Sequence, residues 1–201
     1  MKRIAITGST HSRRTILAEA LSAMSGLDLI SCPSYSSIAA KYKLDLDISK
    51  CQWPDSFVYC MGAFTQRILA ERGLEDEYIS DGSVLNEISW LKSRYPHIEL
   101  IYERSMIQSL ENVIVDYVSN EYDFIFHIDS NDLSDVIDLC LKQIFLQCNI
   151  KHHIIDGANS EDALNQILDH LQVKPVLSAK HALLSANNYL APNKDTDENS
   201  N

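Results

Sequence analysis

Residues Gly8–Thr15 read Gly-Ser-Thr-His-Ser-Arg-Arg-Thr. They keep the outer positions of the phosphate-binding pattern Gly-x-x-x-x-Gly-Lys-[Ser/Thr] and change the inner two. Gly8 and Thr15 match, while Arg13 replaces the second glycine and Arg14 the lysine. Main-chain N–H groups at the start of a helix converge on an anion, helped by the helix dipole. Gly8, Ser9, Thr10, His11, Ser12, Arg13, Arg14 and Thr15 are therefore the candidate nucleotide-binding stretch. Gly8 permits the tight turn, and Thr15 can offer its hydroxyl to Mg²⁺. Arg14 keeps the lysine's charge on a broader, planar head, so it is a candidate phosphate ligand and catalytic group. Arg13 puts a side chain where glycine normally lets the backbone approach, which narrows the cradle. His11 either contacts phosphate or is solvated. The alternative is that Gly8–Thr15 is only a strand-to-helix turn.

A carboxylate lies at Asp81, at the end of the run Glu77-Tyr-Ile-Ser-Asp81. An aspartate there can cap the helix that starts near Ser83. Gly157, in Asp156-Gly-Ala-Asn159, allows backbone approach to a ligand or forms an ordinary turn. His152 and His153 are adjacent and would point to opposite faces of a strand, which argues against a shared metal.

These residues need elements to hold them. Lys2–Thr7 reads as a buried strand entering Gly8, and Arg14–Met24 has helical apolar spacing. Further strands are expected at Leu27–Ser31, Glu77–Asp81, Tyr122–Ile128 and Ile150–Ile155. Helices are expected at Ser36–Tyr42, Phe57–Arg72, Ser83–Arg94, His97–Ser119, Asp132–Gln147, Ser160–Leu171 and Lys180–Leu190. The alternation predicts an α/β fold with three layers and a five-stranded parallel sheet flanked by helices. Residues 1–172 form the expected domain, 173–190 a C-terminal extension with a helix, and 191–201 a disordered acidic tail.

The 201 residues carry a formal net charge of −11, which disfavours nucleic acid as a partner. No apolar run approaches the roughly 20 residues of a membrane span, so no membrane partner is expected. Five cysteines without a C-x-x-C pair, and no secretion signal, point to reduced thiols and a cytoplasmic location.

Three stretches carry a resemblance to the P-loop nucleoside and nucleotide kinases. They are Gly8–Thr15, Pro33–Leu44 and Tyr78–Trp90. Within that group the chain most resembles the AAA-domain proteins similar to nicotinamide riboside kinases, and more distantly thymidylate kinase. The resemblance implies the P-loop NTPase fold and an ATP·Mg²⁺ site. It places Asp81 beside the phosphates as base or metal orienter, and Gly157 near the base of the nucleotide. Several positions depart from the family. Gly82 stands where an arginine would stabilise transferring charge, and Asn86 where a second acid is common. Ser34, Ser36 and Ser37 replace acceptor-binding residues. The segment after Ile128, Asp-Ser-Asn-Asp-Leu-Ser-Asp, carries no arginine to close over phosphates.

Three functions follow. One is a degenerate kinase-like protein that binds a nucleotide with weak or no phosphotransfer. The second is an active ATP·Mg²⁺-dependent kinase of a small hydroxyl acceptor. The third is an interaction scaffold that docks a protein partner through the C-terminal helix around Leu183 and Leu184.

Overall fold

The structure is a computed structural model that describes residues 2–9, 13–31, 33–74 and 77–190. Five strands form one all-parallel sheet: β1 (Lys2–Thr7), β2 (Asp28–Ile30), β3 (Glu77–Asp81), β4 (Phe124–Asp129) and β5 (His153–Asp156). Their spatial order is β2-β3-β1-β4-β5. The chain leaves β1 toward one edge and β4 toward the other. The crevice beyond their carboxyl ends is thus where an open parallel sheet presents its ligand site.

Side chains alternate across the sheet and divide the core in two. Ile4, Ile6, Ile79, Phe126, Ile128 and Ile155 face α1 (Arg14–Ser25), α7 (Ser160–Leu171) and α8 (Ala179–Leu190). Ala5, Ile30, Tyr78 and Ile125 face α3 (Trp53–Gly73), α4 (Val84–Arg94), α5 (Ile101–Glu121) and α6 (Val136–Gln147). The short α2 (Tyr35–Tyr42) lies on α3. The expected three-layer α/β architecture with five parallel strands is therefore present.

Local chemistry sets the element ends. α1 stops at Gly26, whose left-handed backbone (φ 75°) returns an N–H to Ser22 O. α4 starts with a reciprocal capping box between Ser83 and Asn86. α6 starts at Val136 rather than Asp132 because polar side chains hold a competing turn. Asp132 accepts from Ser134, and Asp135 then caps the helix through Asp138 N. α5 starts at Ile101 rather than His97, with the Ile98 carbonyl taken by the Arg104 guanidinium. Tyr122 ends α5 instead of opening β4, donating its N–H to Val118 O.

α8 packs on α1 through Ala179, Ala182 and Ala186, whose small side chains allow close approach. Val176 N donates to Met24 O at 2.9 Å and ties the preceding segment to the same helix. Leu183 packs against this core, while Leu184 is 54% exposed. The expected acidic tail, 191–201, lies outside the described residues. Among the described residues no helix is long and apolar enough to cross a membrane.

Candidate functional site at the carboxyl ends of β1 and β3

Gly8 leaves β1 with φ 145°, a conformation that side chains resist, so the glycine is required here. Its carbonyl accepts two hydrogen bonds, from Arg14 Nη1 at 3.0 Å and Asn86 Nδ2 at 2.6 Å. β1 and β3 are in register, with Ile6 opposite Asp81. Alternation turns the Asp81 side chain toward α1, where Arg14 and Thr15 occupy the first turn. Arg14 Nε donates to Asp81 Oδ1 at 2.8 Å, and Thr15 Oγ1 donates to Asp81 Oδ2 at 3.0 Å. Arg14 is 8% exposed and Asp81 3%. The arginine at the lysine position is thus folded inward and neutralised by the strand-end carboxylate.

The helix cap of α4 is Ser83, so Asp81 is left for Arg14 and Thr15. Gly82 has φ 82°, and its N–H donates to Ile6 O at 2.7 Å. A Cβ on Gly82 would lie 3.3 Å from Arg67 Nη2 and 3.4 Å from Arg14 Cζ. Two guanidinium groups therefore border the space in which a side chain at position 82 would start.

Arg67 escaped the sequence reading because it sits mid-helix in α3 with no motif around it. It is fully buried. Its Nη1 donates to Ser80 Oγ and to the Asp81 carbonyl, and its Nη2 to Glu87 Oε1 at 3.1 Å. Arg14 holds the Asp81 carboxylate and Arg67 holds its main chain. Behind them Glu71 accepts from Ser80, Tyr117 and Tyr122. Burial pushes the Glu71 carboxyl above its ordinary pKa, against the lowering effect of those hydrogen bonds and of Arg67.

Arg13 caps α1 in the left-handed region (φ 57°) and is exposed. Thr10, His11 and Ser12 lie outside the described residues. Three hollows surround the loop. The first, about 200 Å³, is bounded by Ser9, Arg13, Arg14, Thr15 and Ile16. The second, about 130 Å³, lies between the loop and α4, with Tyr59, Glu87 and Trp90 among its walls. Glu87 is 5% exposed, and its Oε2 has no hydrogen-bond partner among the described residues. The third, about 680 Å³, runs from Arg13 and Ile16 past Ala158–Glu161 to Leu183 and Asn187 of α8.

The other predicted residues lie around these hollows. Gly157 N donates to Asp129 O at 3.3 Å, and Asp156 Oδ1 accepts from Ala158 N. The acidic segment after β4 is anchored by Lys142, which bridges Asp129 (2.9 Å) and Asp138 (2.8 Å). Burial works to lower the Lys142 pKa, but the bonds to Asp138 and Asp129 outweigh it and raise it. The Asp129 and Asp138 carboxyls are held below their ordinary range, with burial overcome by Lys142 in both and by His127 in Asp138. His127 is fully buried, with Nε2 3.1 Å from Asp138 Oδ1. His152 stacks on Phe145, and His153 on Phe126 beside His170, so they do face apart.

No protein-family profile matches the chain, and no curated protein matches it in sequence. Solved structures match it in fold. Deoxyadenosine kinase from M. mycoides with bound dATP superposes with a TM-score of 0.62 at 15% identity, covering 85% of this chain and 99% of that one. The same kinase with bound dCTP gives 0.60 at 13% identity, covering 85% and 98%. At such identities the likeness speaks to architecture alone, and the architecture is the α/β P-loop kinase fold.

Proposed function

We propose that this chain binds a nucleotide, ATP or a relative with Mg²⁺, on its kinase fold, and that its phosphotransfer is weak or lost. The observation that carries the reading is the 2.8 Å contact between Arg14 and Asp81. Phosphoryl transfer depends on positive charge placed where negative charge develops, and one arginine can be worth roughly 10³–10⁵ in rate. Here the loop cation is neutralised from within. Gly82 supplies no replacement, and the segment after β4 holds acids. Both Asp81 oxygens already accept a donor, which leaves the carboxylate poorly placed as a base. Arg13 is the cation that faces outward at the mouth of the loop. The kinship in fold with a kinase that binds dATP and dCTP supports a nucleotide as ligand.

The residues fit Mg²⁺ in a limited way. Thr15 directs its proton to Asp81, so its oxygen lone pairs stay available to a cation. Thr15, nucleotide phosphates and water would complete the shell, with Asp81 holding Thr15 in place. The ion would supply charge neutralisation to the phosphates.

A second reading, an active ATP·Mg²⁺-dependent kinase of a small nucleoside-type acceptor, has one observation behind it. The pocket of about 130 Å³ beside the loop is lined by Glu87, whose buried Oε2 has no hydrogen-bond partner among the described residues. That volume suits a single ring, and the carboxylate would accept from an N–H or O–H on its edge. The scaffold reading rests on the exposure of Leu184 at 54%. A cytoplasmic location accompanies all three readings.

The test is a titration of ATP, ADP and GTP, with and without Mg²⁺, following thermal stability and product together. The expected result is stabilisation approaching about 2.7 kcal/mol at a hundredfold excess over Kd, with no measurable transfer. Turnover in the range of about 1–100 s⁻¹ would establish the kinase instead. No shift with any nucleotide would remove the nucleotide reading.

A further inference from the structure

We infer that α8 forms one wall of the nucleotide's base-binding hollow and that Asn187 reads the edge of the base. The inference rests on the nucleotide reading above and adds a residue and a selectivity to it.

The 200 Å³ and 680 Å³ hollows share Arg13 and Ile16 as walls. The smaller one lies at the start of α1, where main-chain amides and the exposed Arg13 suit phosphates. The larger is within the usual range of a small-molecule site and suits a nucleoside. Its apolar walls are Ile16 of α1 and Leu183 of α8, which can flank a flat ring.

Base discrimination needs an uncommitted polar group, and the turn after β5 has few. Gly157 N is bonded to Asp129 O, and Ala158 N to Asp156 Oδ1. The Asn159 side chain caps α7, accepting from Glu161 N and Asp162 N. Two main-chain amides of the turn and the Asn159 Oδ1 are thus turned to its fold, which leaves Asn159 Nδ2 as its side-chain donor. Asn187 projects from α8 into the same hollow and forms no hydrogen bond among the described residues. Its amide offers both donors and an acceptor, which suits a purine or pyrimidine edge. Glu161 places negative charge at this end, which disfavours phosphate there and fixes the ligand's direction. α8 is held for this role by its alanine contacts to α1, the helix that also carries Ile16.

The test uses the full chain and the variants Asn187→Ala and Asn187→Asp, with ATP, GTP and inorganic tripolyphosphate as probes in calorimetry. Position 187 is exposed, and alanine favours helix, so folding is preserved. Loss of one neutral hydrogen bond predicts about a 3- to 10-fold change in the ATP-to-GTP affinity ratio, with tripolyphosphate affinity unchanged. A ratio that stays the same in both variants, while wild type binds nucleotide, overturns the assignment of α8 and leaves nucleotide binding standing. Failure of the wild-type chain to bind any nucleotide or tripolyphosphate overturns both.

Discussion

Removing Arg14 should cost more than removing an ordinary surface arginine, because it strands a buried acid. The Arg14–Asp81 pair is 2.8 Å apart with both residues under one-tenth exposed. At an effective dielectric near ~20, two unit charges at that separation attract by about 6 kcal/mol before desolvation is counted. Breaking a buried pair from one side typically costs about 3–5 kcal/mol. Thr15 still donates to Asp81, and Gly8 O still accepts from Asn86, so Arg14→Ala is placed near about 3 kcal/mol. For a chain of this size that lowers Tm by about 6–12 °C. Asp81→Ala should cost a similar amount, since it leaves the guanidinium buried with only Gly8 O. The double variant strands neither charge. A urea-denaturation cycle over the four proteins should therefore return a coupling of about 2 kcal/mol, near the upper part of the range for residues in contact. A coupling below about 0.5 kcal/mol would show that the two side chains do not depend on each other, and the inward lock would be refuted.

Two further outcomes follow from the same geometry. Gly82→Ala forces a side chain into φ 82° with Cβ 3.3 Å from Arg67 Nη2; it should lower stability by about 1–2 kcal/mol, and an unchanged urea midpoint would contradict that. Burial, then the nearby charges of His170, Lys151 and His152, lower the His153 pKa below its usual 6.5. The fold favours the neutral ring, so this contribution to stability is complete above about pH 6.5 and is lost as pH falls through the lowered value. His153→Gln should flatten the loss of stability on acidification below pH 6.5, and an identical pH profile in that variant would rule His153 out as its source.

The parts of the fold that were legible in the sequence were those written as local patterns. Lys2–Thr7, Glu77–Asp81 and Ser160–Leu171 match the observed elements because an apolar β run entering Gly8, a β run ending in a carboxylate and an acidic first helical turn are local signals, although the cap of α7 is Asn159 and not Ser160. The starts of α5 and α6 were misread. The apolar periodicity runs on into His97–Leu100 and Asp132–Asp135, but side-chain hydrogen bonds hold the backbone out of the helix there. The resemblance to the nucleoside kinases implies Asp81 beside the loop, and Thr15 does bond to it. What did not follow was the direction of Arg14. Its charge is visible in the sequence, but its rotamer depends on the register of β3 against β1 and on the donors already facing Gly8 O. Arg67, Glu87 and Asn187 lay outside any motif. Each reaches the site through helix packing, which brings together residues far apart along the chain.

Arg14 turns inward to Asp81, and Arg13 is exposed at the start of α1. The most direct measurement is calorimetric titration of ATP without Mg²⁺ into wild type, Arg13→Ala and the Arg14→Ala/Asp81→Ala double variant, at a temperature where all three are folded. Loss of a charge-assisted contact in Arg13→Ala should weaken ATP by about tenfold or more. The double variant, which removes two charges already spent on each other, should stay within about threefold of wild type, a change below ~1 kcal/mol. Unchanged ATP affinity in Arg13→Ala together with abolished binding in the double variant would place Arg14 on the phosphates and contradict the account.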